Sequence, residues 1–243
     1  MLTIAGVVAA VIWAYLLLGR GRFWRIERII VRSGAPRPER RVAVIIPARD
    51  EAAVIAQSIG SLLEQAGESL HIFLIDDASS DGTVQIARQT ATSLGKLDSL
   101  TIVEGQTLPP GWTGKLWAVN QGVKAARSFA PDSLLLSDAD IVHSPATIPA
   151  LLAIAESDGY DLVSCLVKLH CRGLAEKLLI PAFGFFFFQL YPPAWVADSR
   201  RSTAGAAGGC LLIRPEALAR AGGIQAIRGE IIDDCALARA VKR

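Results

Sequence analysis

The sequence predicts an α/β protein, with one N-terminal transmembrane helix followed by a mostly parallel central sheet that carries helices on both faces. Three observations carry this expectation. Leu2 to Leu18 contains no charged residue. Beyond Arg41, short apolar runs alternate with stretches of helical composition, the pattern of layered βα units. Several of those runs are apolar throughout, as parallel strands covered on both faces must be.

Taken in chain order, the first element is the apolar helix. At about 1.5 Å per residue its 17 residues reach about 26 Å, the short end of a bilayer crossing. A cleavable leader carries positive charge before its apolar run, whereas here Arg20, Arg22, Arg25 and Arg28 follow it, so the helix reads as a retained anchor. Basic residues stay on the cytoplasmic side, which puts everything after Arg20 in the cytosol at the inner membrane. Residues 19 to 41 hold eight Arg against two Glu, a local excess of six positive charges in a chain of net charge +2. The remainder is therefore acidic by four. A basic segment beside an acidic body suits anionic membrane lipids, and the sparse aromatics around it disfavour nucleic acid, although a solvated charge run reads the same way. The expected domains are residues 1–19 as the anchor, 20–41 as a basic juxtamembrane linker, and 42–243 as a single α/β domain, incomplete at its C-terminus.

Within that domain, Val42 to Ile46, His71 to Ile75, Leu100 to Val103, Ser133 to Leu136 and Asp161 to Leu166 read as strands. Glu51 to Gln65, Thr83 to Leu94, Lys115 to Ala126 and Pro145 to Ala155 read as helices, the last with Ser144 and Pro145 as N-cap and first-turn residue. Four cysteines show neither CxxC spacing nor a neighbouring His at metal-ligand spacing, so they fit reduced cytosolic thiols. Leu178 to Pro193 (LLIPAFGFFFFQLYPP) is too short for an easy crossing and reads either as core or as an interfacial, re-entrant segment.

Ligands of open α/β sheets bind beyond the carboxyl ends of the strands, and there the polar residues gather. Pro47-Ala48-Arg49-Asp50-Glu51 follows the first strand, Asp76 to Thr83 (DDASSDGT) the second, and Ser137-Asp138-Ala139-Asp140 the fourth. Any one such turn serves equally as a helix cap; three at successive strand ends point to one crevice. No GxGxxG or GxxxxGK[ST] turn is present, which disfavours a dinucleotide fold or a P-loop. Asp138 and Asp140 suit a hard divalent cation shared with substrate phosphates, and Arg49 and Lys115 offer positive charge nearby, although Lys115 reads equally as a solvated helix residue. Ala204 to Cys210 (AGAAGGC) is a small-residue run that admits close backbone approach or simply forms a loop. Asp233 and Asp234 open a helical stretch, where they serve as a general base or as favourable N-terminal charge.

In this order PARDE, DDASSDGT, SDAD, GGC and IIDDCALAR resemble the family 2 inverting glycosyltransferases of the GT-A fold, a Rossmann-like architecture, over about Val42 to Arg239. Gly111 to Gly122 (GWTGKLWAVNQG) is similar to the membrane-bound hopene-associated branch. The resemblance implies a nucleotide-diphosphate sugar donor, a divalent metal (Mg²⁺ or Mn²⁺), and a lipid or isoprenoid-linked acceptor. By motif, Pro47, Arg49, Glu51, Asp77, Lys115 and Asp138 would bind the nucleotide sugar. Asp140, with Asp138, would hold the metal; Gly208 and Gly209 would line the acceptor loop. Asp234 would be the catalytic base, with Asp233 standing where the family carries glutamate. The QxxRW-type motif that processive members carry downstream does not occur in these residues, so processive polymerisation is unsupported. The competing expectation is a membrane-tethered scaffold that keeps the fold without turnover.

Overall fold

The computed structural model describes residues 1–25, 40–65 and 69–243. Most of the expected basic linker lies outside the described residues. The chain divides into two compact units, one of residues 1–30, 168–205 and 242, the other of residues 31–167, 206–241 and 243.

The larger unit is built on a six-stranded sheet: β1 (Val42–Ala48), β2 (Leu70–Asp76), β3 (Leu100–Glu104), β4 (Ser133–Ser137), β5 (Leu162–Ser164) and β6 (Cys210–Ile213), in the order β3-β2-β1-β4-β6-β5. The first four strands are mutually parallel; β6 runs antiparallel to both β4 and β5. In β1, Val42 to Ile46 are all buried, which is why the run carries no polar alternation. Pro47 lacks an N–H, and it falls where the ladder to β4 has already ended at the Ile45–Leu136 pair.

Helices cover both faces, as expected. On one, α2 (Ile55–Leu63), α3 (Thr83–Ser93) and α5 (Thr147–Ser157) pack Ile59, Leu62, Ala87 and Leu151 into a core with Val44, Ile46, Ile72 and Leu74. On the other lies α4 (Gly114–Ala125), where a Cβ on Gly122 would stand 2.5 Å from Ile45 Cγ2 and from Ile75 Cδ1. The glycine is what lets this helix approach the sheet. Two further helices, α8 (Pro215–Arg220) and α9 (Asp233–Lys242), follow β6; they come after α6 and α7 of the smaller unit.

Several boundaries differ from the sequence expectation. α2 begins at Ile55 rather than Glu51, because Asp50 takes a left-handed conformation (φ 55°) and hydrogen-bonds to Ser79 and Ser80. α5 begins at Thr147; Ser144 bonds the Thr147 hydroxyl instead of capping a helix at Pro145. β6 forms from Cys-Leu-Leu-Ile directly after the small-residue run, in a place where no strand was expected. Cys165, Cys171 and Cys210 are free thiols.

The smaller unit contains α1 (Leu2–Ala14), continued by a π-helical turn at Tyr15–Gly19, together with α6 (Leu174–Leu190) and α7 (Pro193–Ala197). Leu2–Gly19 is long and apolar enough to cross a membrane. After it the chain turns at Gly21 (φ +61°), where a Cβ would meet Trp195 Nε1 at 2.7 Å. Arg20 donates to the Gln189 carbonyl at 3.0 Å and lies 4.9 Å over the Trp195 ring. Phe23 is buried, its ring edge-on to Phe185 at 5.2 Å. No residue of α6 is buried, so core packing is not its role.

Candidate active site

The strand order reverses at β1: β2 and β3 lie to one side, and the chain then returns through α4 to place β4 on the other. The C-terminal ends of β1 and β4 thus flank a switch point, where loops diverge and leave a crevice. An open cleft of about 500 Å³ occupies it, lined by Pro47, Arg49, Glu51, Asp77, Lys115, Asp138 and Asp140, among others. That volume is within the range of small-molecule sites.

The walls of the cleft are stitched together by side chains of the two acidic turns. Glu51 N–H donates to Thr83 Oγ1 at 2.8 Å and Ala52 N–H to Asp81 Oδ2 at 2.8 Å. Asp50 accepts from the Ser80 N–H at 2.8 Å. Asp50 and Asp81 are therefore spent on holding the PARDE and SSDGT turns against each other. Arg49 faces Asp77 at 3.6 Å across the cleft mouth.

Thr113 caps α4 by accepting from Leu116 N–H at 3.4 Å, which sets Lys115 in the first turn of the helix. From there the Lys115 ammonium reaches Asp138 Oδ1 at 2.7 Å and Asp233 Oδ2 at 3.5 Å. Burial alone would push this lysine down, but the two carboxylates outweigh it and raise its pKa, keeping the charge fixed. The pKa of Glu51 is raised too, by burial first, then by Asp140, Asp81 and Asp138, which for a carboxylate disfavours the charge. Such crowding of negative charge is what a bound cation relieves. Among the described residues no group of three His, Cys, Asp or Glu converges tightly enough to hold a metal unaided. The hard oxygens of Asp138 and Asp140 on one turn are of the type a divalent cation takes, and two carboxylates would leave most of its shell to other ligands.

A second, smaller hollow adjoins the first and shares Pro47, Lys115 and Asp138 with it; its other lining includes Gly208, Asp233 and Asp234. A Cβ on Gly208 would lie 3.2 Å from Asp234 Oδ2, so the glycine gives the carboxylate its access. Asp234 also accepts from Cys235 N–H at 2.6 Å, and Asp233 from Asp234 N–H at 3.0 Å. Both carboxylates thus sit in the first turn of α9, as the alternative expected, and while Asp233 Oδ2 faces Lys115, Asp234 Oδ2 is left for the hollow. Cys210, next to Gly209, is pushed up to about 12 by burial and by Cys165, which removes it as a nucleophile.

Every residue expected at the site from the sequence lines one of these two hollows except Gly209, whose carbonyl accepts from Asp138 N–H at 3.3 Å. Sequence reading missed the pair beneath them. Ser137 Oγ lies 2.9 Å from His143 Nε2, 3.2 Å from the Asp138 carbonyl and 3.4 Å from that of Gly209. His143 N–H in turn donates to Ser61 Oγ of α2 at 3.0 Å. These bonds fasten the acidic turn to the glycine loop from below, and burial lowers the pKa of His143, which stays neutral.

Residues 43–222 match the family described as Glycosyl transferase family 2. The chain belongs to that family. The fold agrees: a mannosyltransferase from Pyrobaculum calidifontis, in complex with GDP-Man and Mn²⁺, superposes with a TM-score of 0.63 at 24 % identity, over 96 % of this chain and 61 % of the other. A TarS fragment from S. aureus in complex with UDP gives 0.55 at 18 % identity, over 83 % and 55 %. The architecture is therefore GT-A. Among curated relatives, an undecaprenyl-phosphate 4-deoxy-4-formamido-L-arabinose transferase from Aeromonas hydrophila is 27 % identical over 146 residues, 57 % of this chain and 41 % of that protein. The chain thus spans well under two thirds of the relatives' length.

Proposed function

We propose that this family 2 chain is an inverting glycosyltransferase that moves one sugar from a nucleotide-diphosphate donor to a lipid or isoprenoid-linked acceptor. The observation that carries the reading is the shared wall. Lys115 and Asp138 border both the wide cleft that suits a donor and the hollow that holds Asp234. A sugar at that wall is within reach of both the leaving group's partners and a base.

In this reading Arg49, Glu51 and Asp77 orient the nucleoside and Lys115 holds diphosphate oxygens through its fixed positive charge. Asp138 and Asp140 would hold Mg²⁺ or Mn²⁺, which neutralises charge on the departing diphosphate. Asp234 takes the proton from the acceptor hydroxyl, whose oxygen attacks the anomeric carbon from the face opposite the diphosphate; the configuration inverts. Gly208 leaves the acceptor room beside that carboxylate, and Gly209, the next residue of the acceptor loop, ties the loop to Asp138 through its carbonyl. Asp233, paired with Lys115, fixes the start of α9.

The lipid-linked acceptor is favoured by the apolar Leu2–Gly19 helix and by the lipid-phosphate substrate in the name of the Aeromonas relative. The GWTGKLWAVNQG segment favours the hopene-associated branch, with an acceptor from hopanoid biosynthesis. Residues 1–19 anchor the chain in the inner membrane, 20–41 form a basic juxtamembrane linker, and the transferase domain of residues 42–243 works in the cytosol.

The test is Asp234→Asn. Transfer from the donor should fall by about 10²-fold to 10⁴-fold, the usual worth of a general base, with donor affinity unchanged. Full turnover in this variant would overturn the assignment of the base.

A further inference from the structure

α6 is apolar on all sides, and among its residues none is buried. Its exposed large side chains run from 39 % at Phe185, which packs on Phe23, to 87 % at Leu174, with Ile180, Phe187 and Phe188 half-buried. A helix of this kind belongs in a large core or in lipid, and no core receives it within its own unit. By length and composition Leu174–Ala197 passes for a second membrane crossing.

Chain connectivity forbids that crossing. The segment leaves the sheet after β5 and re-enters it at β6, and these two strands are hydrogen-bonded neighbours, with Val163 opposite Leu212. A single crossing would put two partners of one ladder on opposite sides of a bilayer. A crossing and a return would need a second span, but the chain beyond α7 offers Asp198, Arg200 and Arg201 and then non-helical backbone up to β6. Charged side chains and unpaired backbone are not carried through hydrocarbon.

We propose that α6 and α7 form a monotopic element that enters and leaves an anionic phospholipid bilayer from the cytosolic face, beside the exit of the N-terminal helix. The contacts inside the smaller unit place it there. Gly21, Arg20 and Phe23, the first residues after the apolar helix, pack on Trp195, Gln189 and Phe185. Arg201 covers the same Trp195 ring at 4.7 Å. The charge fits the occupant: residues 1–25 and 168–205 together carry eight Lys and Arg against two acidic residues. Trp24, Tyr191 and Trp195 supply the amphipathic rings that settle at headgroup depth. The proposal does not rest on the transfer reaction, and a failed donor experiment would leave it standing.

The test uses the full chain with Cys165→Ser and Cys171→Ser, reconstituted in vesicles of phosphatidylcholine with phosphatidylglycerol. An environment-sensitive fluorophore is attached at Phe186→Cys, separately at Leu178→Cys, and at Ser93→Cys on exposed α3 as the aqueous reference. Only samples that keep the thermal transition of the parent are scored, and the two α6 positions substitute for one another. The expected result is a blue-shifted α6 probe quenched at least twofold more by lipid labelled near the headgroup than by lipid labelled deep in the chain, with Ser93 unquenched. Stronger quenching by the deep label would mean a crossing and overturn the proposal. Absence of quenching at both positions would mean that protein, such as a second copy, covers the helix, and would overturn it equally.

Discussion

Lys115 donates to Asp138 across 2.7 Å while the same ammonium stands 3.5 Å from Asp233, so one cation links the acidic turn after β4 to the start of α9. Ninety-odd residues of sequence separate these carboxylates, and a single lysine holds them at the common wall of the two hollows.

Replacing Lys115 by Met should remove that link and the charge proposed to receive the diphosphate. Donor transfer is expected to drop about 10²-fold or more, the scale on which one fixed electrostatic partner of a developing charge acts. Steady-state kinetics checks it. A loss seen in kcat and in donor KM together supports the shared-wall geometry, whereas unchanged kinetics would reduce Lys115 to an ordinary surface ion pair.

Acid should destabilise the fold through two imidazoles. Burial lowers the pKa of His71 and of His143 below the free value of 6.5. The unfolded chain therefore binds more protons than the folded one as pH falls below about 6.5, and stability declines there while staying level above it. Thermal unfolding in detergent from pH 7.5 to 5.5 measures the slope, and His143→Gln should flatten it. An equal slope in the variant would place the acid sensitivity elsewhere.

His143 should also matter for the site through Ser137. With the Ser137–His143 bond lost, the acidic turn and the Gly209 carbonyl lose a common fastening. Ser137→Ala is expected to raise donor KM several-fold while lowering the unfolding midpoint by no more than about 4 °C, since one neutral hydrogen bond contributes about 1 kcal/mol. A changed midpoint with unchanged KM would make the bond purely structural.

Gly122→Ala should cost about 1–3 kcal/mol, because the added methyl would stand 2.5 Å from Ile45 and Ile75 in a packed layer. Denaturant midpoints measure it. A neutral result would show that α4 can lift from the sheet.

Much of this was legible in the sequence because parallel strands buried on both faces leave continuous apolar runs, as Val42 to Ile46 and Leu134 to Leu136 do, and because the polar turns follow them directly. β6 was not, since four residues after a glycine run carry no periodicity; the sheet's hydrogen bonds make it a strand. The start of α2 depended on Asp50 bonding to Ser80, a contact between separate turns that no local pattern encodes. The Ser137–His143 pair was hidden for the same reason, whereas the carboxylates, Lys115 and the glycines announced themselves by type and order. α6 was half visible: Leu178 to Pro193 stood out as apolar, but the helix begins at Leu174 and runs through Pro181.

Metal-assisted donor binding is proposed for the cleft bordered by Glu51, Lys115, Asp138 and Asp140. Calorimetric titration of nucleotide-diphosphate sugars into the detergent-solubilised chain, with Mn²⁺ and then with EDTA, tests it most directly, using Asp140→Ala in parallel. Micromolar binding of one nucleotide class is expected with Mn²⁺, lost with EDTA and weakened at least tenfold by Asp140→Ala. Binding indifferent to both metal and Asp140, or no binding of any nucleotide by a folded sample, would contradict it.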